Sequence, residues 1–84
     1  MSRIRKRFQK IVNNPVGIAW DELQTILKHY DCVIEKGGKG SHWIVYHPDS
    51  DKNITVAVHS NRVKVFYVKK LIGLLEEVMT DEDE

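Results

Sequence analysis

Apolar residues recur along the chain with two periods, and the change from one to the other divides it into helices and strands. Ile4, Phe8, Ile11 and Val12 stand at i, i+4, i+7 and i+8, which puts them on one stripe of a short helix from Arg3 to Val12. Arg3, Arg5, Lys6, Arg7 and Lys10 surround that stripe. Asn13-Asn14-Pro15 ends the helix, because proline cannot continue it and restrains the residue before it. Trp20, Leu23, Ile26, Leu27 and Tyr30 repeat at i, i+3, i+6, i+7 and i+10 and predict a second helix that stops near Tyr30 or Asp31. Asp21 and Glu22 sit in its first turn, where the helix dipole favours acids.

The pattern then becomes that of strands. Cys32 to Lys36 holds Val33 and Ile34 and runs into Gly37-Gly38-Lys39-Gly40; His42 to His47 is rich in β-formers and closes at Pro48. Ile54 to His59 alternates, with Ile54, Val56 and Val58 on one face and Thr55, Ala57 and His59 on the other. Asp49-Ser50-Asp51-Lys52-Asn53 has the composition of a turn, so the second and third runs should pair as an antiparallel hairpin. From about Phe66 helical spacing returns through Val68, Leu71, Ile72, Leu75, Val78 and Met79. The expected fold class is α+β: helix, helix, three strands, helix, with a three-stranded antiparallel sheet carrying helices on one face.

Length and composition fit one domain over 1–84 with a single core. No apolar run approaches the ~20 residues of a membrane span. No apolar segment follows the basic first ten residues, so a signal peptide is not expected. Cys32 is the lone cysteine, which rules out an internal disulfide and fits a reducing cytoplasm. The net charge of +1 conceals an asymmetry: all 13 Lys and Arg lie within residues 1–75, whereas six of the 12 acids lie within residues 76–84. The body is basic, which suits a polyanion such as nucleic acid as well as a simply solvated surface. Thr80 to Glu84 has four acids in five residues and is expected to be a disordered acidic tail, either merely solvated or competing weakly with RNA for the basic body.

Proton transfer near neutral pH is usually the work of histidine. His29 lies near a helix end and suits a surface role, His47 precedes Pro48 at a strand end, and His59 closes the last strand. His42 differs because Gly37, Gly38, Lys39 and Gly40 stand just before it. Glycines permit positive φ and close approach of a ligand to the backbone, and Lys39 adds charge. A basic, glycine-rich loop feeding a histidine suits an RNA backbone; the same residues also suit a structural histidine at a strand start. Cys32, His42, His47 and His59 lack the close ligand pairs of a zinc site, so no metal is expected. Ser41 adjoins His42 and would point to the opposite face, which makes a serine nucleophile a poor fit. The glycine loop lacks the spacing of a phosphate-binding P-loop.

Gly40-Ser41-His42-Trp43-Ile44-Val45-Tyr46-His47-Pro48, followed by Ile54-Thr55-Val56-Ala57-Val58-His59 and a helix beginning near Tyr67-Val68-Lys69, resembles the HicA toxin family. The resemblance runs from about Trp20 to Val78. It implies a double-stranded-RNA-binding-like α-β-β-β-α fold, here with an extra helix in front. It also implies a cytoplasmic bacterial endoribonuclease, an mRNA interferase silenced by a HicB-like antitoxin and needing no cofactor. The family's catalytic histidine falls on His42. Trp43 stands where a second histidine is common, and Ala57 where proline is common, so the second proton-transfer group is open among His59, a lysine and water. Gly40 and Ser41 would shape the RNA-binding loop, and Lys36 and Lys39 would neutralise phosphates.

Two other readings compete. Lys69 and Lys70 resemble the lysines that non-catalytic RNA-binding modules of this fold present at the start of their last helix, though Gly73 occupies the place of the third basic residue. The aromatics Trp43, Tyr46 and Phe66 would instead serve a protein surface in a purely structural role.

Overall fold

The structure is a computed structural model that describes residues 3–38 and 40–79. Lys39 and the acidic stretch 80–84 lie outside the described residues. The elements run α1 (Arg3–Asn13), β1 (Ile18–Ala19), α2 (Trp20–His29), β2 (Val33–Lys36), β3 (His42–Tyr46), β4 (Asn53–His59), β5 (Arg62–Val63) and α3 (Val65–Val78). The fold is α+β, and α2-β2-β3-β4-α3 follow the order the periodicities predict.

The sheet corrects the expectation of three strands. It has five, all antiparallel, in the order β1-β5-β4-β3-β2. Ser60 and Asn61 adopt φ of 51° and 60°, so a two-residue turn reverses the chain after His59 and lays β5 against the end of β4. β1 then pairs along β5, Ile18 opposite Val63 and Ala19 opposite Arg62. Strands of two residues are too short to show alternation, which is why the hydrophobic pattern misses them.

The turn that makes β5 also holds α2. Ala19 precedes that helix and offers no side-chain cap. Asn61 takes over from 40 residues away: its carbonyl accepts the Trp20 N–H at 2.9 Å and its side-chain oxygen accepts the Asp21 N–H at 3.2 Å. Two otherwise orphaned helix donors are thereby satisfied.

Alternation along the strands sorts the sheet into two faces. Val45, Ile54, Val56, Val58 and Val63 are buried and share one core with Phe8 and Ile11 of α1, Leu23, Ile26 and Leu27 of α2, and Val68, Leu71, Leu74 and Leu75 of α3. Each fully buried aliphatic contributes about 1.5–3 kcal/mol relative to exposure. The stripe of α3 is turned slightly from its expected line, with Leu74 fully buried and Ile72 only half-buried. On the other face His42, Thr55, His59 and Arg62 are exposed and Ile44, Tyr46 and Ala57 half-buried. The chain thus has a closed face that holds it together and an open face.

Candidate functional site

β2 and β3 are joined by the glycine-rich loop, and the loop brings their ends very close. The Gly37 N–H donates to the His42 carbonyl at 2.8 Å, continuing the ladder in which Lys36 faces Trp43. A Cβ on Gly37 would stand 2.8 Å from that same carbonyl oxygen, so no larger residue fits without moving the His42 backbone. Gly40 turns the loop at φ +57°, a conformation glycine adopts without strain. On the far side, the Val58 N–H donates to the Ser41 carbonyl at 3.0 Å, tying the loop to β4.

This places His42 at the first position of β3, exposed, on the open face. It lies opposite Ala57, whose small side chain leaves space above the sheet, and diagonally from His59. Diagonal cross-strand neighbours have side-chain origins roughly 7–8 Å apart or somewhat less. His59 in turn faces Arg62, whose guanidinium donates to the Gly17 carbonyl at 3.2 Å. His42, His59 and Arg62 therefore share one face at one end of the sheet. Arg62 is absent from the sequence-predicted set because a two-residue strand shows no alternation to mark the β4–β5 turn that brings it there; Asn61 after Ser60, a residue tolerant of positive φ, is the signal that could reveal it.

At the other end of the same face the chemistry differs. The Glu35 carboxylate binds the Tyr46 hydroxyl and raises its pKa above the ordinary value. His42, His59 and Arg62 thus sit at the loop end, and the Glu35–Tyr46 pair lies toward the opposite end.

Other candidate residues are not gathered here. Lys36 lies on the same face as Trp43, with its ammonium 4.8 Å from the ring centroid, and Trp43 packs on Trp20 at 5.9 Å. Lys36 is thus on the helical side of the sheet, at the rim of the loop but on the opposite face from His42. Lys69 and Lys70 are exposed on α3. Lys70 stands over the Phe66 ring at 4.4 Å and lines a groove of about 480 Å³ with Lys52, Asn53, Ile54, Thr55 and Gly73. Asn53 faces Tyr46 whereas Ala57 faces His42, so this groove begins four residues along β4 from the histidine position, roughly 13 Å at strand rise.

His47 is only 8% exposed and has both ring nitrogens engaged. Nε2 donates to the Tyr30 carbonyl at 3.0 Å, and Nδ1 accepts the Asp49 N–H at 3.0 Å. A carbonyl can only accept and an amide N–H only donate, which fixes the neutral tautomer and makes His47 a tie between α2 and the turn after β3. Cys32 is buried; that burial, with repulsion from Asp31, pushes its thiol up to about 11 and away from thiolate chemistry. Cys32, His42, His47 and His59 do not converge, and no group of three metal-ligating side chains occurs among the described residues.

The family model described as HicA toxin of bacterial toxin–antitoxin matches residues 20–77, well over half of the chain. The chain belongs to the HicA toxin family. Membership implies an antitoxin partner. The HicA match spans the elements from α2 into α3, and so includes the glycine loop, His42, His59 and Arg62, while α1 precedes it. No curated protein and no solved structure matches the chain significantly. No helix among the described residues is long and apolar enough to cross a membrane.

Proposed function

We propose that this HicA-family toxin is an endoribonuclease that cuts mRNA without a metal ion, with His42 as its catalytic histidine. The observation that carries the reading is the shared open face: His42 and His59 are diagonal neighbours across β3 and β4, beside a loop whose backbone a ligand can approach. RNA brings its own nucleophile, the 2′-hydroxyl. One imidazole takes that proton as the oxygen attacks phosphorus. The P–O5′ bond breaks, and the other imidazole, protonated, gives its proton to the departing 5′ oxygen. The products are a 2′,3′-cyclic phosphate and a 5′-hydroxyl. Two groups of roughly 7–8 Å spacing can flank one phosphate in this way.

The loop residues Gly40 and Ser41 shape the contact with the chain. Lys36, at the loop rim, and Lys39, between Gly38 and Gly40 in sequence, supply charge as the RNA passes. Lys69 and Lys70 hold a phosphate farther along, near the groove beside β4. The α2-β2-β3-β4-α3 unit is read as a double-stranded-RNA-binding-like fold carrying a nuclease site. Its partner is a HicB-like antitoxin, and its place of action is the cytoplasm.

Purified protein incubated with RNA in excess chelator tests this reading. Fragments ending in 2′,3′-cyclic phosphate support it. RNA that is bound but never cut would favour the non-catalytic binding module, and cutting that disappears with the chelator would overturn the metal-free mechanism.

A further inference from the structure

α1 precedes the family match and carries five cations and no acid over Arg3–Asn13. Its buried residues Phe8 and Ile11 fix which side faces the core. Arg3, Lys6, Arg7 and Lys10 stand at i, i+3, i+4 and i+7, which puts them on one stripe along the flank of the helix, beside the buried side. All four are exposed, and none forms an ion pair among the described residues. The stripe runs about 10 Å along the helix at 1.5 Å per residue. α1 packs into the helical layer with α2, so the stripe lies on the other side of the sheet from His42.

We propose that this stripe is a second RNA-backbone-binding surface, separate from the open face of the sheet. Four like charges held in a row on a rigid helix repel one another and release counterions when phosphates replace them. A membrane surface fits less well. An interfacial helix must insert its apolar side, and that side of α1 is already committed to the core. The contacts are to phosphate, so the surface adds affinity without sequence preference. It lets a long RNA be held while a short stretch of it lies at the open face.

The proposal rests on RNA being the partner, and the test separates the two. Binding of a long unstructured RNA is measured in His42→Ala protein, where the RNA stays whole, with and without Arg3→Gln, Lys6→Gln, Arg7→Gln and Lys10→Gln. Glutamine keeps helix propensity, and circular dichroism confirms that α1 persists. Each lost phosphate contact lowers the salt slope by about 0.7, so three or four lost contacts lower it by about two to three. Affinity at low salt should fall at least about tenfold, with the loss shrinking toward about 200 mM salt. Arg3→Lys with Arg7→Lys, which keeps the charge, should retain both affinity and slope. Equal affinity and slope for the glutamine variant overturn the α1 surface alone. No RNA binding by the parent protein overturns the RNA reading with it. Binding by the parent to phosphatidylserine vesicles and not to RNA would assign the stripe to membranes instead.

Discussion

The two ends of β3 each present a histidine, and the fold sets them in opposite surroundings. Beyond Tyr46, His47 is buried and both its ring nitrogens are spoken for by the Tyr30 carbonyl and the Asp49 amide. At the start of the strand His42 is exposed, beside the glycine-rich loop, and across from Ala57. Residue type therefore says little about surroundings. What differs is burial: the His47 ring is covered by the protein, whereas His42 is exposed on the open face.

The comparison breaks most readily at His47. His47→Ala removes a buried ring and leaves the Tyr30 carbonyl and Asp49 amide without their partner, at a cost of about 2–3 kcal/mol. At roughly 4–8 °C per kcal/mol for a domain of this size, thermal unfolding should move down by about 10–20 °C. A melting point unchanged by this substitution would show that His47 is no tie, and the contrast between the two ends would collapse.

Next in size is His59→Ala. If His59 shares the proton transfers, cleavage falls by roughly ten- to a hundredfold and the pH–rate profile loses one limb, while melting stays within about 0.5 kcal/mol of the parent. Full cleavage with both limbs intact would hand the second transfer to a lysine or water.

Gly37→Ala sharpens the open end from below. The added methyl meets the His42 carbonyl, a backbone atom that can yield only by shifting β3. Stability should drop by about 1–2 kcal/mol and cleavage more than tenfold, because 1 Å of misplacement at a catalytic group can cost about a hundredfold. Gly38→Ala is the control, since a Cβ there meets nothing within 4 Å. If both glycine variants behave alike, the close approach at Gly37 does not position His42.

The smallest effect lies at Cys32, near the His47 end. Its thiol is raised from 9.0 to about 11 by burial and by Asp31. The unfolded chain ionises first, so the associated stability is whole below pH 9 and is lost as pH rises through about 11. After solvent screening this is about 1 kcal/mol. Melting curves taken from pH 8 upward should fall more steeply for the parent than for Cys32→Ala; parallel curves would contradict the shift.

Much of this contrast is legible in the residue pattern. The stripes of Phe8 and Ile11, of Leu23, Ile26 and Leu27, and of Val68 and Leu71 predict the helices, and the alternation through Ile54, Val56 and Val58 predicts the closed face of the sheet. Gly37 to Gly40 before His42 marks the loop. What the pattern leaves out depends on contacts between distant residues. β1 and β5 are two residues long and exist through pairing with each other and with β4. Asn61 caps a helix 40 residues away, and Arg62 reaches the site only because of the same turn. The opposite facing of Lys36 and His42 follows from register, since Lys36 pairs with Trp43 and not with His42. His47 reads as a turn residue until the Tyr30 carbonyl is seen beside it.

The open end of β3 is tested most directly by the single-turnover rate of RNA cleavage for the parent protein and for His42→Ala, both in chelator, with melting curves taken on the same samples. A general acid or base contributes typically about 10²–10⁴-fold. The account predicts a fall of at least about a hundredfold with melting unchanged. Cleavage by His42→Ala at close to the parent rate would contradict it and move the chemistry away from this end of the sheet.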